Sequence, residues 1–329
     1  MAVIGCGRIA ISHLEAICAL PALGRVVAVM DVELARAQSM SKRFGVPHAV
    51  DDLQSVLRIP EVEAVLICTP NALHADQTIA ALDAGRHVLV EKPMAENAVS
   101  AARMVAAADR SGKVLAIGQT LRHTAPIRYL QDHRNDFGEL RAVEVSNCVR
   151  WNGPQAPWWA TRTREQGLIL SLFAPHALDF VQLVMDAEAI SVQVQAARFQ
   201  TDWLGEDEAM FLLRYPQRRL ASVHLSYNQR FVLDRKTLHF ADAMLRIEDG
   251  DFLWIDDKLV VQPAQAQNVN LVHQMGGREL GLYFRNQFEE FVNAARGLPN
   301  RSVLHHEGLR LTQLIDRSLV SAIENSASL

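Results

Sequence analysis

The tripeptide Glu91-Lys92-Pro93 closes the apolar run Val88-Leu89-Val90. A lysine delivered at the carboxyl end of a buried strand stands where open α/β sheets bind their ligands. Desolvation draws such an ammonium pKa toward neutrality, which suits it to shuttle a proton or to stabilise an alkoxide. The plainer reading of Lys92 is a surface lysine paired with Glu91. Near the start of the chain, Gly5-Cys6-Gly7-Arg8-Ile9-Ala10 has the spacing of a dinucleotide phosphate cradle. Gly5 permits the tight turn, Gly7 lets backbone approach a pyrophosphate, and the small Ala10 lets helix pack closely on strand. Asp31 follows the second strand at the distance expected of an acidic residue that accepts from the adenine-ribose hydroxyls. Its charge repels a 2′-phosphate, so NAD is expected over NADP, although the Arg8 guanidinium suits either cofactor. Asp31 also suits capping of the helix that follows it.

These residues need a scaffold, and the first third supplies one by alternation. Strand-like Ala2–Ile4, Val26–Met30, Ala64–Cys68, His87–Val90 and Val114–Ile117 are separated by helical segments, among them 32–44 and Ala98–Ser111. Strands alternating with helices indicate right-handed βαβ units, hence a doubly wound parallel Rossmann sheet over residues 1–120. Beyond Gln119, runs with strand composition follow one another: Leu140–Val149, Ile190–Phe199, Ala209–Tyr215, Leu220–Tyr227, Thr237–Phe240, Leu245–Glu248 and Phe252–Ile255. The tail returns to helix over Tyr283–Arg296 and Glu307–Asn325. Residues 121–329 are therefore expected to form an α+β domain with a large, mostly antiparallel open sheet.

At 329 residues the chain exceeds what one hydrophobic core usually fills. A net charge of -4 without blocks of like charge argues against nucleic acid as the partner. Four cysteines without C-x-x-C spacing fit a reduced, cytoplasmic protein. No apolar run has the length of a membrane span; the longest, near Gly167 to Met185, is broken by His176 and Asp179. Strand-like sequence begins at once, so no signal peptide is expected. The short first strand reads as if a few residues were missing ahead of it. No H-E-x-x-H or compact His/Cys/Asp cluster supports a metal, and His305-His306 reads as a surface feature.

The turn Gly5–Ala10, Asp31, the stretch Cys68-Thr69-Pro70-Asn71-Ala72-Leu73-His74 and the stretch from Gly85 to Pro93 together resemble the glucose–fructose oxidoreductase, inositol dehydrogenase and MocA family. The segment from Gly167 to His176-Ala177-Leu178-Asp179 is similar to the family's glycine-rich approach to its histidine. The resemblance implies a dehydrogenase acting on a secondary hydroxyl or ketone of a sugar, polyol or sugar derivative. It implies that the loops bearing Thr69, Pro70, Asn71, His74, Glu91 and Lys92 touch the cofactor, and that Lys92 and His176 face the substrate. It also implies that the open sheet forms oligomer contacts, a homodimer or homotetramer.

One position departs from the pattern: Leu172 stands where the family frequently has an acidic residue, four before the histidine. By composition alone His176 would be a core histidine; the resemblance makes it a general acid/base, with Lys92 polarising the substrate oxygen. Asp179 either orients that ring or is structural. Trp151, Trp158 and Trp159 would stack on a sugar ring, close over the nicotinamide, or pack a domain boundary. Arg122, Arg162 and Arg164 are candidates for an anionic substrate group or simply solvated charges. Two other functions compete: an NAD-dependent glycoside hydrolase of the same family, and a catalytically silent NAD-binding sensor, which Leu172 would suit.

Overall fold

A computed structural model describes residues 1–154, 156–263 and 280–325. The chain divides into two compact units, Met1–Thr120 with Glu279–Thr312 and Leu121–Arg278 with Gln313–Leu329. The sequence suggested one uninterrupted second domain from 121 to 329; the structure returns part of the tail to the first unit.

In the first unit, β1 (Ala2–Ile4), α1 (Arg8–Cys18), β2 (Ala28–Met30), α2 (Leu34–Phe44), β3 (His48–Val50), α3 (Leu53–Leu57), β4 (Ala64–Ile67), α4 (His74–Asp83), β5 (His87–Glu91), α5 (Ala98–Ser111) and β6 (Leu115–Gly118) follow in order. The six strands are parallel in the order β6-β5-β4-β1-β2-β3. Successive strand residues point to opposite faces, and both faces are covered by helices, so β1, β2 and β4 are apolar throughout, as are Val88–Val90 of β5 and Leu115–Ile117 of β6. Ile4, Ile67, Val88 and Val90 pack one core. Val3, Val29, Leu66 and Leu89 pack the other, with Leu14 and Ile17 of α1. Two elements carry weak sequence signals: β3 is short and half-exposed, and α3 is held by Asp52, which accepts from the Ser55 amide at 2.9 Å.

The second unit contains α6 (Ala125–Asp132), β7 (Leu140–Arg150), α7 (Ile169–Leu172), α8 (Ala174–Met185), β8 (Ser191–Ala197), β9 (Glu208–Arg214), β10 (Leu220–Ser226), β11 (Asn228–Phe240), β12 (Met244–Glu248), β13 (Phe252–Ile255) and β14 (Lys258–Val261). Its eight strands run β14-β13-β12-β11-β7-β10-β9-β8, antiparallel except for β7 beside β10. Alternation in β9 is strict: Ala209, Phe211 and Leu213 are buried, while Met210 and Leu212 are exposed. Such a sheet is covered on one face, and α8 lies there against β7 and β10. The strand expected at Thr237–Phe240 begins nine residues earlier, at Asn228. Charged residues hid it, two of which, Asp234 and Lys236, are buried as an ion pair at 2.6 Å.

The tail forms α9 (Leu280–Ala295), β15 (Val303–Leu304) and α10 (His305–Asn325). β15 pairs antiparallel with β6, Val303 beside Ile117. Phe288 and Phe291 of α9 enter the core beside α1. Among the described residues no helix is long and apolar enough to cross a membrane.

Candidate active site

In the first sheet the chain leaves β1 toward β2 and β3 on one side, then crosses back to β4, β5 and β6 on the other. A crevice opens outside the carboxyl ends of the strands where winding reverses. The loops after β1, β2, β4 and β5 carry Gly5, Asp31, Thr69 and Lys92 to this rim. Gly5 has φ +90°, and a Cβ there would stand 2.9 Å from the Cys68 carbonyl carbon and oxygen. Only glycine fits both the left-handed backbone and that approach. Gly7 is exposed at the amino end of α1, and a Cβ added there meets nothing within 4 Å. No side chain caps α1 at Gly7, so open space faces amide groups and the positive end of the helix dipole. Arg8 and Ile9 are exposed in the same turn.

Asp31 is buried, and its carboxylate braces the turn. One oxygen accepts from the Cys6 amide at 2.9 Å and the other from the Glu33 amide at 3.0 Å. A carboxylate has about four acceptor sites, so capacity remains for a ligand.

The loops after β4 and β5 are tied together by His74. Its Nδ1 lies 2.9 Å from the Pro93 carbonyl oxygen and its Nε2 2.8 Å from that of Thr69. Burial lowers the His74 pKa against the pull of these carbonyls. The resemblance implies a cofactor contact for this residue; in the structure its ring stands between the two carbonyl oxygens and links the two loops. Thr69 donates its hydroxyl to Gln77 Oε1 at 2.6 Å, and Pro70 is exposed. Asn71 is buried, and its side-chain Nδ2 has no hydrogen-bond partner among the described residues. An orphan donor in a loop at this rim fits a ligand acceptor.

Glu91 turns inward. Its Oε1 meets Nε2 of the buried His13 at 2.8 Å, and its Oε2 accepts from the Lys92 amide at 3.1 Å. Burial raises its pKa, but His13 and Lys92 outweigh that and hold it below the usual carboxylate range. Lys92 is half-buried, and the Lys92–Pro93 peptide is cis. Desolvation lowers its pKa, Glu91 opposes that, and Arg8 adds to it. The sequence did not single out His13. Its signal was its place among Ala10, Leu14 and Ile17 on the buried face of α1, where a histidine needs a partner.

In the second unit His176 is half-buried in the first turn of α8. Asp179, on the same helix, is held by Arg122 through two bonds of 2.7 and 2.8 Å, with both side chains buried. The two candidate substrate contacts thus engage each other. Trp159 lies nearly parallel to the buried Tyr227, 15° between planes and 6.3 Å between centroids, within a cluster that includes Trp151 and Phe173. Arg162 donates to the Gly167 and Gln166 carbonyls, and Arg164 to carbonyls near the end of α10. Both arginines therefore brace backbone. Glu206 gave no signal in the sequence, yet it is buried and accepts from the Leu168 and Leu170 amides at 2.8 and 3.0 Å. Burial pushes its pKa up to about 7, against those amides and Arg162.

The sequence profile described as "Oxidoreductase family, NAD-binding Rossmann fold" matches residues 1–119, and the "GFO/IDH/MocA C-terminal domain" profile matches residues 133–246. The chain belongs to the Gfo/Idh/MocA family of oxidoreductases. Its first unit is the family's NAD-binding Rossmann domain. It is 28% identical to 1,5-anhydro-D-fructose reductase of Ensifer adhaerens over 227 residues, 68% of each chain. It is 31% identical to D-glucoside 3-dehydrogenase of Escherichia coli over 204 residues, 61% of this chain and 57% of that one. The fold matches that of an Agrobacterium radiobacter oxidoreductase solved with NAD+, L-tartaric acid and magnesium, with a TM-score of 0.87 at 18% identity, covering 99% of this chain and 96% of the other.

Proposed function

We propose that this family member transfers a hydride between NAD and a secondary hydroxyl or ketone of a sugar, polyol or related ring compound. The observation that carries this reading is Lys92. It is desolvated and half-buried, and it stands at the carboxyl end of β5 on the rim that also holds the open cradle at Gly7. The relatives support the substrate class, and none of those described above is a hydrolase or a silent sensor.

The residues fit NAD. The amides of the Gly5–Ile9 turn and Arg8 would take the pyrophosphate, Asp31 the adenine-ribose hydroxyls, and the loop of Thr69, Pro70 and Asn71 the nicotinamide half, with the Asn71 amide as donor. When bound, the nicotinamide supplies the redox step. Lys92 holds the substrate oxygen and stabilises the charge that develops on it. Glu91, locked by His13, fixes the lysine's loop without taking its proton. His176 exchanges the hydroxyl proton. Leu172 leaves this last role without the carboxylate common in the family, so the substrate hydroxyl depends more on Lys92.

Cofactor reduction followed over polyols, aldoses, uronates and nucleotide sugars, with NAD and with NADP, tests the reading. On the substrate found, Lys92→Ala and His176→Ala should each lower kcat by about 10²–10⁴ while NAD binding persists. Near-normal rates in both variants would refute the assignment. NAD binding without reduction across the panel would favour the silent sensor, and glycosidic cleavage without net reduction the hydrolase.

The protein is further proposed to act in the cytoplasm, which its four free cysteines suit. It is proposed to do so as a homodimer or homotetramer joined through the open sheet face, where Met210 and Leu212 are 59% and 62% exposed. Light scattering that returned the 36.6 kDa of one chain at working concentration would rule the oligomer out.

A further inference from the structure

Asp109 lies in the last turn of α5, and His305 and His306 open α10, 196 positions away. Folding brings them together within the first unit. His305 Nε2 is 3.0 Å and His306 Nε2 3.3 Å from the same Asp109 Oδ1, and the three atoms lie within 4.8 Å of one another. Bonds of about 2.0–2.1 Å in a tetrahedral shell set neighbouring donors roughly 3.3 Å apart. The donors therefore stand near coordination spacing.

We propose that Asp109, His305 and His306 form a binding site for one divalent transition-metal ion. Two imidazoles and one carboxylate select Zn2+, Ni2+ or Cu2+ over Mg2+ and Ca2+, which prefer oxygen. His306 and Asp109 are 62% and 51% exposed, so an ion enters without any opening of the fold and water fills the remaining positions. Without an ion, both rings compete for one carboxylate oxygen with their centroids 4.5 Å apart. Binding replaces two shared hydrogen bonds with three metal bonds and displaces the ring protons, so it strengthens as pH rises. One feature limits affinity. His305 Nδ1 is buried without a hydrogen-bond partner among the described residues, and a metal on Nε2 requires the proton there. The site is accordingly of micromolar rather than nanomolar class. An ion here clamps the end of α5 to the start of α10.

The test is Zn2+ titration by calorimetry on the full chain, stripped with chelator and carrying no affinity tag. Co2+ absorption provides the ligand signature. One Zn2+ per chain is expected, weakened at least tenfold in His306→Ala and lost in His305→Ala/His306→Ala. Cofactor reduction should be unchanged in these variants. The chain has twelve histidines, so the comparison between variants isolates this site from others. Equal Zn2+ binding by wild type and the double variant overturns the proposal, as does no binding up to roughly 1 mM. Should the double variant fold poorly, the exposed His306→Ala decides alone, because unchanged affinity in it refutes the site.

Discussion

Two glycines two positions apart serve different ends. A methyl at Gly5 meets Cys68 backbone at 2.9 Å and forces a strained φ, whereas one at Gly7 meets only space. Gly5→Ala should therefore cost about 2–4 kcal/mol in urea unfolding. Gly7→Ala should change stability by less than about 1 kcal/mol but weaken NAD binding at least tenfold by calorimetry. Equal stability losses in the two variants would remove the distinction. The places of both glycines, Asp31 and Lys92 at the carboxyl ends of β1, β2 and β5 were legible, because the succession of strands and helices fixes which residues follow each strand. The contacts of His13 and His74 were not legible as such. Their partners, Glu91, Pro93 and the Thr69 carbonyl, come from other strands, and only closure of the sheet makes them neighbours.

Among elements, the approach to α8 depends on a carboxyl group that periodicity could not reveal. Glu206 receives the first amides around α7, and its pKa is raised from 4.5 to about 7. A carboxyl whose folded pKa exceeds its unfolded one favours the fold when protonated. That contribution is complete below pH 4.5 and is lost as pH climbs through 7. Glu206→Gln keeps the accepting oxygen and cannot ionise. Urea unfolding at pH 5 and pH 8 should show the variant gaining on wild type by on the order of 2–3 kcal/mol. A stability difference independent of pH would count against a buried titrating carboxyl. The alternation of β9 and the βαβ succession were readable because one or both sheet faces impose a period. β11 was only partly readable, since its buried Asp234 and Lys236 satisfy each other across two positions of one strand.

For the whole molecule, the sequence indicated two domains but not the path between them. The tail's helical composition says nothing about which sheet it covers. α9 and β15 complete the first unit: Phe284 packs edge-on to His13, Gln287 accepts from the Thr120 hydroxyl at 2.6 Å, and Val303 extends the sheet beside Ile117. A fragment of residues 1–120 should therefore lack cooperative thermal unfolding, and adding the peptide 280–312 in trans should restore part of it. A sharp, NAD-stabilised transition in the fragment alone would contradict this. The same path has a consequence for biosynthesis. The flank of α1 and the edge of β6 stay bare while residues 121–278, the larger part of the second unit, are translated, on the order of ten to thirty seconds at ribosomal rates. The nascent first unit is thus the stretch on which chaperone holding would matter most.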